Sequence, residues 1–249
     1  MYKEMSSIEI LGMLQLCDSN FPVGSFNHSY GMENYLRIEK VNSAQSLKVW
    51  VRAFLKDSFS QNDALAIRFV YEVLEGGESN VNTDSELCDK KTLGMDCMWE
   101  LDEWITVQSV SMETRNAGKL VSKRMCELLL DLYDSKTVSL YYERIKKKES
   151  YGHPAIAFAM LMYDLNVPLK RATLYHMYAT ISTLIQNAVR TIPLGQKDGQ
   201  LILKEFSDDF ENLYEKIEKL TKDDFGVNIP GLEMAQIKHE TQIFRLFMS

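Results

Sequence analysis

The stretch LYHMYATISTLIQNA, residues 174–188, decides the fold class of this 249-residue chain. Apolar side chains recur in it at steps of three and four residues, a spacing that places them on one face of an α-helix. Pro193 ends the pattern soon afterwards, since proline interrupts a helix. The stretch therefore predicts a long amphipathic helix packed on a core through Leu174, Met177, Tyr178, Ile181, Leu184, Ile185 and Ala188.

The same periodicity extends over most of the remaining chain. Leu47, Trp50 and Phe54 continue it after an N-cap at Asn42 or Ser43, and Gly76-Gly77 are expected to end the helix that follows. No alternating strand pattern appears. The sequence predicts an all-α, single-domain helical bundle of about ten helices over residues 1–249, with further helices at 8–18, 28–37, 99–108, 113–133, 138–147, 154–165 and 208–220.

Two segments depart from this bundle pattern. Residues 76–94 are polar and loop-like, and because helical periodicity resumes after them they are interpreted as an insertion and not a domain boundary. Residues 230–249 form a C-terminal tail that ends in apolar side chains, although chain ends are usually polar and frayed. Aromatic, methionine and arginine side chains are enriched in interface cores, so the tail is expected to dock on its own core or on a partner.

Composition narrows the class of protein. The net charge of −7 argues against a nucleic-acid-binding protein, which normally presents a basic face. No apolar run approaches the roughly 20 residues that span a bilayer, and residues 1–5 lack the apolar core of a signal peptide. The four cysteines form no C-x-x-C pair and are expected to be free thiols. The chain is therefore expected to be cytoplasmic, with neither a membrane nor a nucleic acid among its partners.

Motifs that would support catalysis are missing from the sequence. There is no G-x-S-x-G elbow, no P-loop and no H-E-x-x-H. The acidic stretch at 208–212 is better explained as a solvated helix start, since aspartate suits a first turn. The sequence predicts a protein that is not an enzyme.

The histidines are scattered, and none has a metal-ligating neighbour at the spacing of one helical turn. No stable metal site is predicted.

Four segments carry features that helix packing does not require. Residues 18–33 form a loop with Pro22, Gly24 and two phenylalanines, and residues 113–119 place a glycine within a helical pattern. Residues 186–200 and the tail complete the set. Glycine within a helix costs about 1 kcal/mol relative to alanine, so such positions need another reason.

At these segments the sequence resembles the urease accessory protein F family, collinearly across nearly the whole chain. Residues 18–33 are similar to that family's signature D-S-x-x-P-x-G-x-F-x-H-S-x-G-x-E, with Ser25 and Asn27 as departures. Residues 188–200 resemble A-V-R-x-I-P-L-G-Q-x-D-G-Q, and residues 239–249 resemble H-E-x-x-x-x-R-L-F-x-S. Three long motifs in the right order make the resemblance specific.

The resemblance implies an all-α homodimer that is not itself catalytic. It implies a complex with two other urease accessory proteins, a β-rich scaffold called D or H and a GTPase called G. Together they would enable GTP-dependent nickel insertion into apo-urease. No cofactor is expected to be bound intrinsically, because nickel and GTP are handled by the complex.

Two sets of docking residues follow from the motifs. The GTPase is expected on the two loops, at Pro22, Gly24, Phe26, His28, Ser29, Glu33, Arg190, Gln196, Lys197, Asp198 and Gln200. The scaffold or the dimer mate is expected on the tail, at His239, Glu240, Phe244, Arg245, Leu246 and Phe247.

Two alternatives remain open beside the scaffold hypothesis. The chain could regulate the nucleotide turnover of the partner GTPase, with Arg190 or Lys197 acting on developing phosphate charge. It could also be a nickel conduit or carrier. Imidazole and thiolate suit Ni²⁺, so His28, Cys17 and His239 are the weak candidates for transient ligands.

Overall fold

A computed structural model describes residues 6–78 and 94–249, with the side chains of residues 77 and 78 excepted. Over this part of the chain the protein is all-α and contains no strand, as the sequence predicts. The α-helices are α1 Ser7–Leu16, α2 Met32–Arg37, α3 Ala44–Ala53, α4 Leu65–Glu78, α5 Met95–Val107, α6 Met112–Leu132, α7 Lys136–Lys147, α8 Pro154–Asp164, α9 Leu169–Val189, α10 Gln196–Ile217 and α11 Pro230–His239.

Local sequence signals explain most helix ends. Ser43 caps α3, as predicted, because its side chain accepts the N–H of Ser46. Pro154 opens α8, where a missing N–H is harmless, and the side chain of His153 caps the same helix. Helix α4 ends at Glu78, within two residues of the helix end predicted at Gly76-Gly77. Most of the predicted insertion at 76–94 lies outside the described residues.

Three helix starts differ from the sequence-based expectation. Helix α5 begins at Met95, four residues before the predicted start at residue 99. Helix α2 begins at Met32 and not at residue 28, because Gly31 adopts a positive φ of 89° as its N-cap. Helix α10 begins at Gln196, twelve residues before the predicted start. Asp198 makes this early start possible, since its carboxylate accepts the N–H of Gly195 at 3.2 Å and caps the first turn. Residues 196–200 are therefore helical and do not form a loop.

The apolar side chains form two cores. The first joins α1, α4, α5, α6, α7 and α8, and the second joins α2, α3, α9 and α10 with Leu232 of α11. The stretch that decides the fold class, residues 174–188, lies in the second core, where Met177, Ile181 and Leu184 are fully buried. Fully burying one such side chain stabilises the fold by about 1.5–3 kcal/mol, so these cores determine the stability of the bundle.

A π-helical stretch, Phe54–Ala64, joins α3 to α4 without a break. The π-helix is rare in proteins and is frequently found at functional sites. Here it places Asp63 opposite α9, where its carboxylate lies 3.1 Å from the ring of His176. Nothing in the sequence marks this stretch, because its composition is that of an ordinary helix.

The described helices include none that is long and apolar enough to cross a membrane. Cys17 and Cys126 are free and buried, whereas Cys97 is disulfide-bonded. The expectation of four free thiols is therefore wrong at Cys97.

Candidate docking site

The last ten residues of the C-terminal tail, residues 240–249, are docked on their own chain. Glu33 of α2 holds it through its carboxylate, which accepts the backbone N–H of Leu246 at 2.7 Å and that of Phe247 at 3.0 Å. Glu33 is 1% exposed, and hydrogen bonds to a buried charged group are among the stronger ones in proteins. A glutamate from the first motif thus fixes the backbone of the last motif.

His239, at the end of α11, contacts both Glu33 of α2 and Glu113 of α6. One ring nitrogen lies 3.0 Å from Glu33 and the other lies 2.7 Å from Glu113 at the start of α6. The imidazole of His239 thus bridges two carboxylates that come from different helices. Arg245 of the tail pairs with the second oxygen of Glu113. Three of the four singled-out segments therefore meet at one cluster.

Glu240 attaches the beginning of the tail to the N-terminus of α6. One carboxylate oxygen accepts the hydroxyl of Ser111 at 2.8 Å and the N–H of Met112 at 2.7 Å. The hydrogen bond from Ser111, followed by those from the backbone, lowers the pKa of Glu240. The first N–H groups of a helix lack internal partners and favour an anion, so Glu240 acts as a helix cap supplied from elsewhere in the chain.

The last residue connects the tail to the first loop. The backbone oxygen of Ser249 accepts the N–H of Ser29 at 2.6 Å, and its hydroxyl lies 2.8 Å from the ring of His28. Asn187 of α9 donates to the carbonyl of His28 at 3.1 Å. The segment at residues 186–200 therefore also contacts the first loop. Burial, followed by the charges of Arg124 and His239, lowers the pKa of His28 to about 4. His28 is therefore a neutral, buried structural group.

The outer side of the tail is apolar and open. An apolar ridge, defined here as Ile243, Phe244, Leu246 and Met248, is 90%, 88%, 72% and 59% exposed, respectively. Phe247 points the other way and is buried. Large exposed apolar patches on a soluble protein mark interaction sites. The backbone of the tail is thus held by its own chain while its apolar side chains face outward.

Burial separates the residues predicted for the scaffold or dimer side into two groups. His239 and Phe247 are buried against their own chain, and Glu240 and Arg245 are engaged with α6. Phe244 and Leu246 are the two of this set whose side chains are free to meet a partner.

The residues predicted for the GTPase side divide in the same way. Four of them are buried: Gly24, His28, Ser29 and Glu33. The polar side-chain atoms of the last three form hydrogen bonds with the tail. The exposed members are Pro22, Phe26, Arg190, Gln196, Lys197, Asp198 and Gln200. Arg190 lies over the ring of Phe26 at 5.9 Å, so one patch brings together the first loop and the end of α9.

A cavity of about 180 Å³ lies behind the tail. Three of the four histidines line it: His28, His153 and His176. Asp63 also faces it, paired with His176, whose ring is packed between Phe59 and Phe158. Burial lowers the pKa of His153 as well, which favours its neutral ring. Periodicity could not have predicted this convergence, since the histidines are far apart in sequence.

The weak metal candidates do not converge. Cys17 points its thiol at the carbonyl of Tyr175, and burial raises its pKa to about 12, which disfavours a thiolate. His28 and His239 are each engaged as described above. Within residues 6–78 and 94–249, no group of three histidine, cysteine, aspartate or glutamate side chains is placed to hold a metal ion.

Two features define the described part of the protein: an all-α bundle, and an exposed apolar ridge on a tail that its own chain holds in place. The UreF family model matches residues 41–207. The urease accessory protein UreF of Lachnoclostridium phytofermentans is 37% identical over 240 residues, covering 96% of this chain and 98% of that protein. Those of Streptococcus salivarius and Bacillus sp. are each 38% identical, covering 100% and 96% of this chain and 98% and 99% of those proteins.

The chain belongs to the UreF family.

Proposed function

We propose that this chain is a urease maturation factor that acts as a non-catalytic scaffold. In this proposal it binds the D/H scaffold and the G GTPase, and the assembly inserts nickel into apo-urease in a GTP-dependent step. Similarity to urease accessory proteins over nearly the whole chain supports the pathway.

The observation that carries the scaffold role is the apolar ridge. Its side chains are exposed while Glu33 and Glu240 hold the backbone beneath them. A preorganised surface binds with less loss of conformational entropy than a free tail does. The ridge therefore presents Phe244 and Leu246 as ready-made anchors for an apolar groove on the D/H scaffold or on a second copy of this chain.

Co-expression tests this proposal. Urease is produced with the D/H and G proteins, with and without this chain, and its activity and nickel content are measured. The proposal requires that activity depend on this chain and fall when Phe244 and Leu246 are both changed to serine. Full activity without the chain would overturn the urease role, and full activity of the double variant would overturn the role of the ridge.

The histidine-lined cavity supports a second candidate, a nickel conduit. Neutral imidazoles bind nickel, and the rings of His28 and His153 are kept neutral by burial. Transfer of nickel through the assembled complex would then slow when His153 or His176 is changed to phenylalanine while capture of both partners is unchanged. Unchanged nickel delivery by both variants would exclude the conduit.

A further inference from the structure

The charged side chains that line the cavity are mostly acidic. Among the described residues of the lining, Asp18, Asp63 and Glu233 are acidic and Arg115 is basic. The guanidinium of Arg115 is already engaged, because it donates to two backbone carbonyl oxygens in the turn before α6. A cavity whose lining carries an excess of negative charge favours a cation over an anion.

Asp63 is the acidic residue that the fold positions most specifically. It lies in the π-helical stretch, and one of its oxygens is 3.1 Å from the ring of His176. A neutral imidazole is able to donate this hydrogen bond. Burial acts to raise the pKa of Asp63, but the hydrogen bond from His176 is the largest of the effects that outweigh it and hold the pKa below its ordinary value. The side chain is 28% accessible and lines the cavity, so a charged carboxylate is within reach of a ligand there.

Aromatic rings lie beside this carboxylate. Burial, followed by the charge of Asp63, raises the pKa of Tyr30, which shows that the two groups are close. The rings of Tyr30 and Phe54 are 6.0 Å apart, and Phe158 lies 5.1 Å from the ring of His176 that pairs with Asp63. All three aromatic residues line the cavity. An ammonium group is attracted to a carboxylate and to aromatic faces, and this combination is typical of sites for organic cations.

The cavity also contains room that the fold does not fill. An engineered cavity of about 150 Å³ in another protein binds benzene, so the 180 Å³ found here suits a ligand of about six non-hydrogen atoms. Gly118 lines the cavity from α6, and a Cβ built on Gly118 meets nothing within 4 Å. Glycine weakens a helix, and packing does not require it at this position. The absence of a side chain at Gly118 thus leaves open space beside the cavity.

We propose that the cavity binds a small alkylammonium ion, with the charged nitrogen at Asp63 and the alkyl chain in the space that Gly118 leaves open. A tightly held metal ion is a poorer match, because no group of three metal-ligating side chains within the described residues is placed to hold one. The site belongs to the chain by itself and does not depend on the proposed role in urease maturation.

Isothermal titration calorimetry of the full chain at neutral pH tests this site. The probes are n-butylammonium, 1-butanol and butyrate, which are similar in size and differ in charge. We expect n-butylammonium to bind at least about tenfold more tightly than 1-butanol, because hydrogen bonds to a charged group are the stronger ones. Butyrate should bind most weakly, since Asp63 repels it. Nickel chloride is the fourth titrant.

Three variants locate the site. Asp63→Asn keeps the size of the side chain and removes its charge, so it should weaken n-butylammonium binding at least about tenfold and leave 1-butanol binding unchanged. Asp57→Asn is the matched control, because Asp57 lies on the same π-helical stretch but outside the cavity lining, and it should change neither affinity. Gly118→Leu fills the cavity from another wall and should abolish binding of both probes without altering Asp63.

Equal affinity for n-butylammonium and 1-butanol would overturn the proposal, and so would unchanged binding in either Asp63→Asn or Gly118→Leu. Nickel binding that requires Asp63, without any binding of n-butylammonium, would assign the cavity to a metal ion instead. Thermal melting checks that each variant is folded. If Asp63→Asn is not, the probe series on the unaltered chain and Gly118→Leu still decide. Urease activity is not part of these measurements, so their failure is distinguishable from a failure of the maturation role.

Discussion

Glu33 and His239 are 206 positions apart in the sequence, and their side chains meet at 3.0 Å with almost no exposure to solvent. Glu33 lies in the first turn of α2 and His239 ends α11, so this pair joins two helices that are far apart in the sequence. The same carboxylate holds two backbone N–H groups of the tail. The presentation of the tail therefore depends on one buried acidic side chain.

The first prediction concerns Glu33→Gln. Each hydrogen bond to a charged group contributes about 1.5–3 kcal/mol, Glu33 accepts two from the tail backbone, and every 1.4 kcal/mol corresponds to a factor of ten. Hydrogen exchange at the N–H groups of Leu246 and Phe247 should therefore accelerate by about a hundredfold or more. Mass spectrometry resolves this segment. Glu211 forms an exposed ion pair with Lys170, and exposed pairs contribute little to stability, so Glu211→Gln should leave exchange in the tail as it is. Equal acceleration in both variants would contradict the role of Glu33.

The second prediction concerns pH. His28 has an ordinary pKa of 6.5, and burial lowers it to about 4 in the folded chain. Between these values the unfolded chain binds more protons, so the free energy of unfolding falls as the pH is lowered through this window. The slope from His28 alone approaches about 1.4 kcal/mol per pH unit.

Urea denaturation at several pH values measures this slope. His28→Gln removes the titrating group and keeps a polar side chain opposite Ser249, so its stability should fall less steeply between pH 6.5 and pH 4. Parallel curves for the two proteins would show that His28 does not cause the acid sensitivity.

The third prediction uses two helical glycines as a matched pair. A Cβ on Gly118 of α6 would meet nothing within 4 Å, whereas a Cβ on Gly199 of α10 would lie 2.8 Å from the side chain of Val189. Gly118→Ala should raise the free energy of unfolding by about 1 kcal/mol through helix propensity. Gly199→Ala should lower it, because overpacking costs about 1–3 kcal/mol. A stabilising Gly199→Ala would show that α9 and α10 can move apart.

The fourth prediction separates binding from folding at the ridge. Changing both Phe244 and Leu246 to serine should alter the free energy of unfolding by no more than about 0.5 kcal/mol per site, because both side chains are exposed. Pull-down of the D/H scaffold should nevertheless be lost. Leu201→Ser on α10, also an exposed leucine, is the control and should keep full capture. Retained capture by the double variant would assign the interface to another surface.

Much of the fold could be predicted from the sequence, since periodicity and caps depend on nearby residues. The stripe at 174–188 lies within α9, and Ser43 caps α3 as expected. The start of α10 was missed because Gly195 and Gly199 give the stretch the composition of a loop. The π-helical stretch was missed because its composition does not distinguish it from an α-helix.

The sequence predicts which segments form the candidate site, but it does not predict the contacts between them. All four singled-out segments meet around the tail, yet Glu113 and Asn187 were not among the predicted docking residues. Both lie within the four segments that helix packing does not explain, and a polar residue in such a segment is the signal that could have found them. The pairing of Glu33 with His239 could not be predicted, because spacing along the chain carries no information about contacts over such separations.

The two cores are not independent bodies. The continuous helical run from Ala44 to Glu78 contributes residues up to Ala64 to the second core and residues from Leu65 onward to the first. Helix α9 also crosses between them, with Ala172 in the first core and Met177 in the second. Unfolding of either core would disrupt both of these helices, and the other core would lose the side chains that they contribute to it. We therefore expect a single cooperative melting transition in which no half-folded bundle accumulates for proteases to cut.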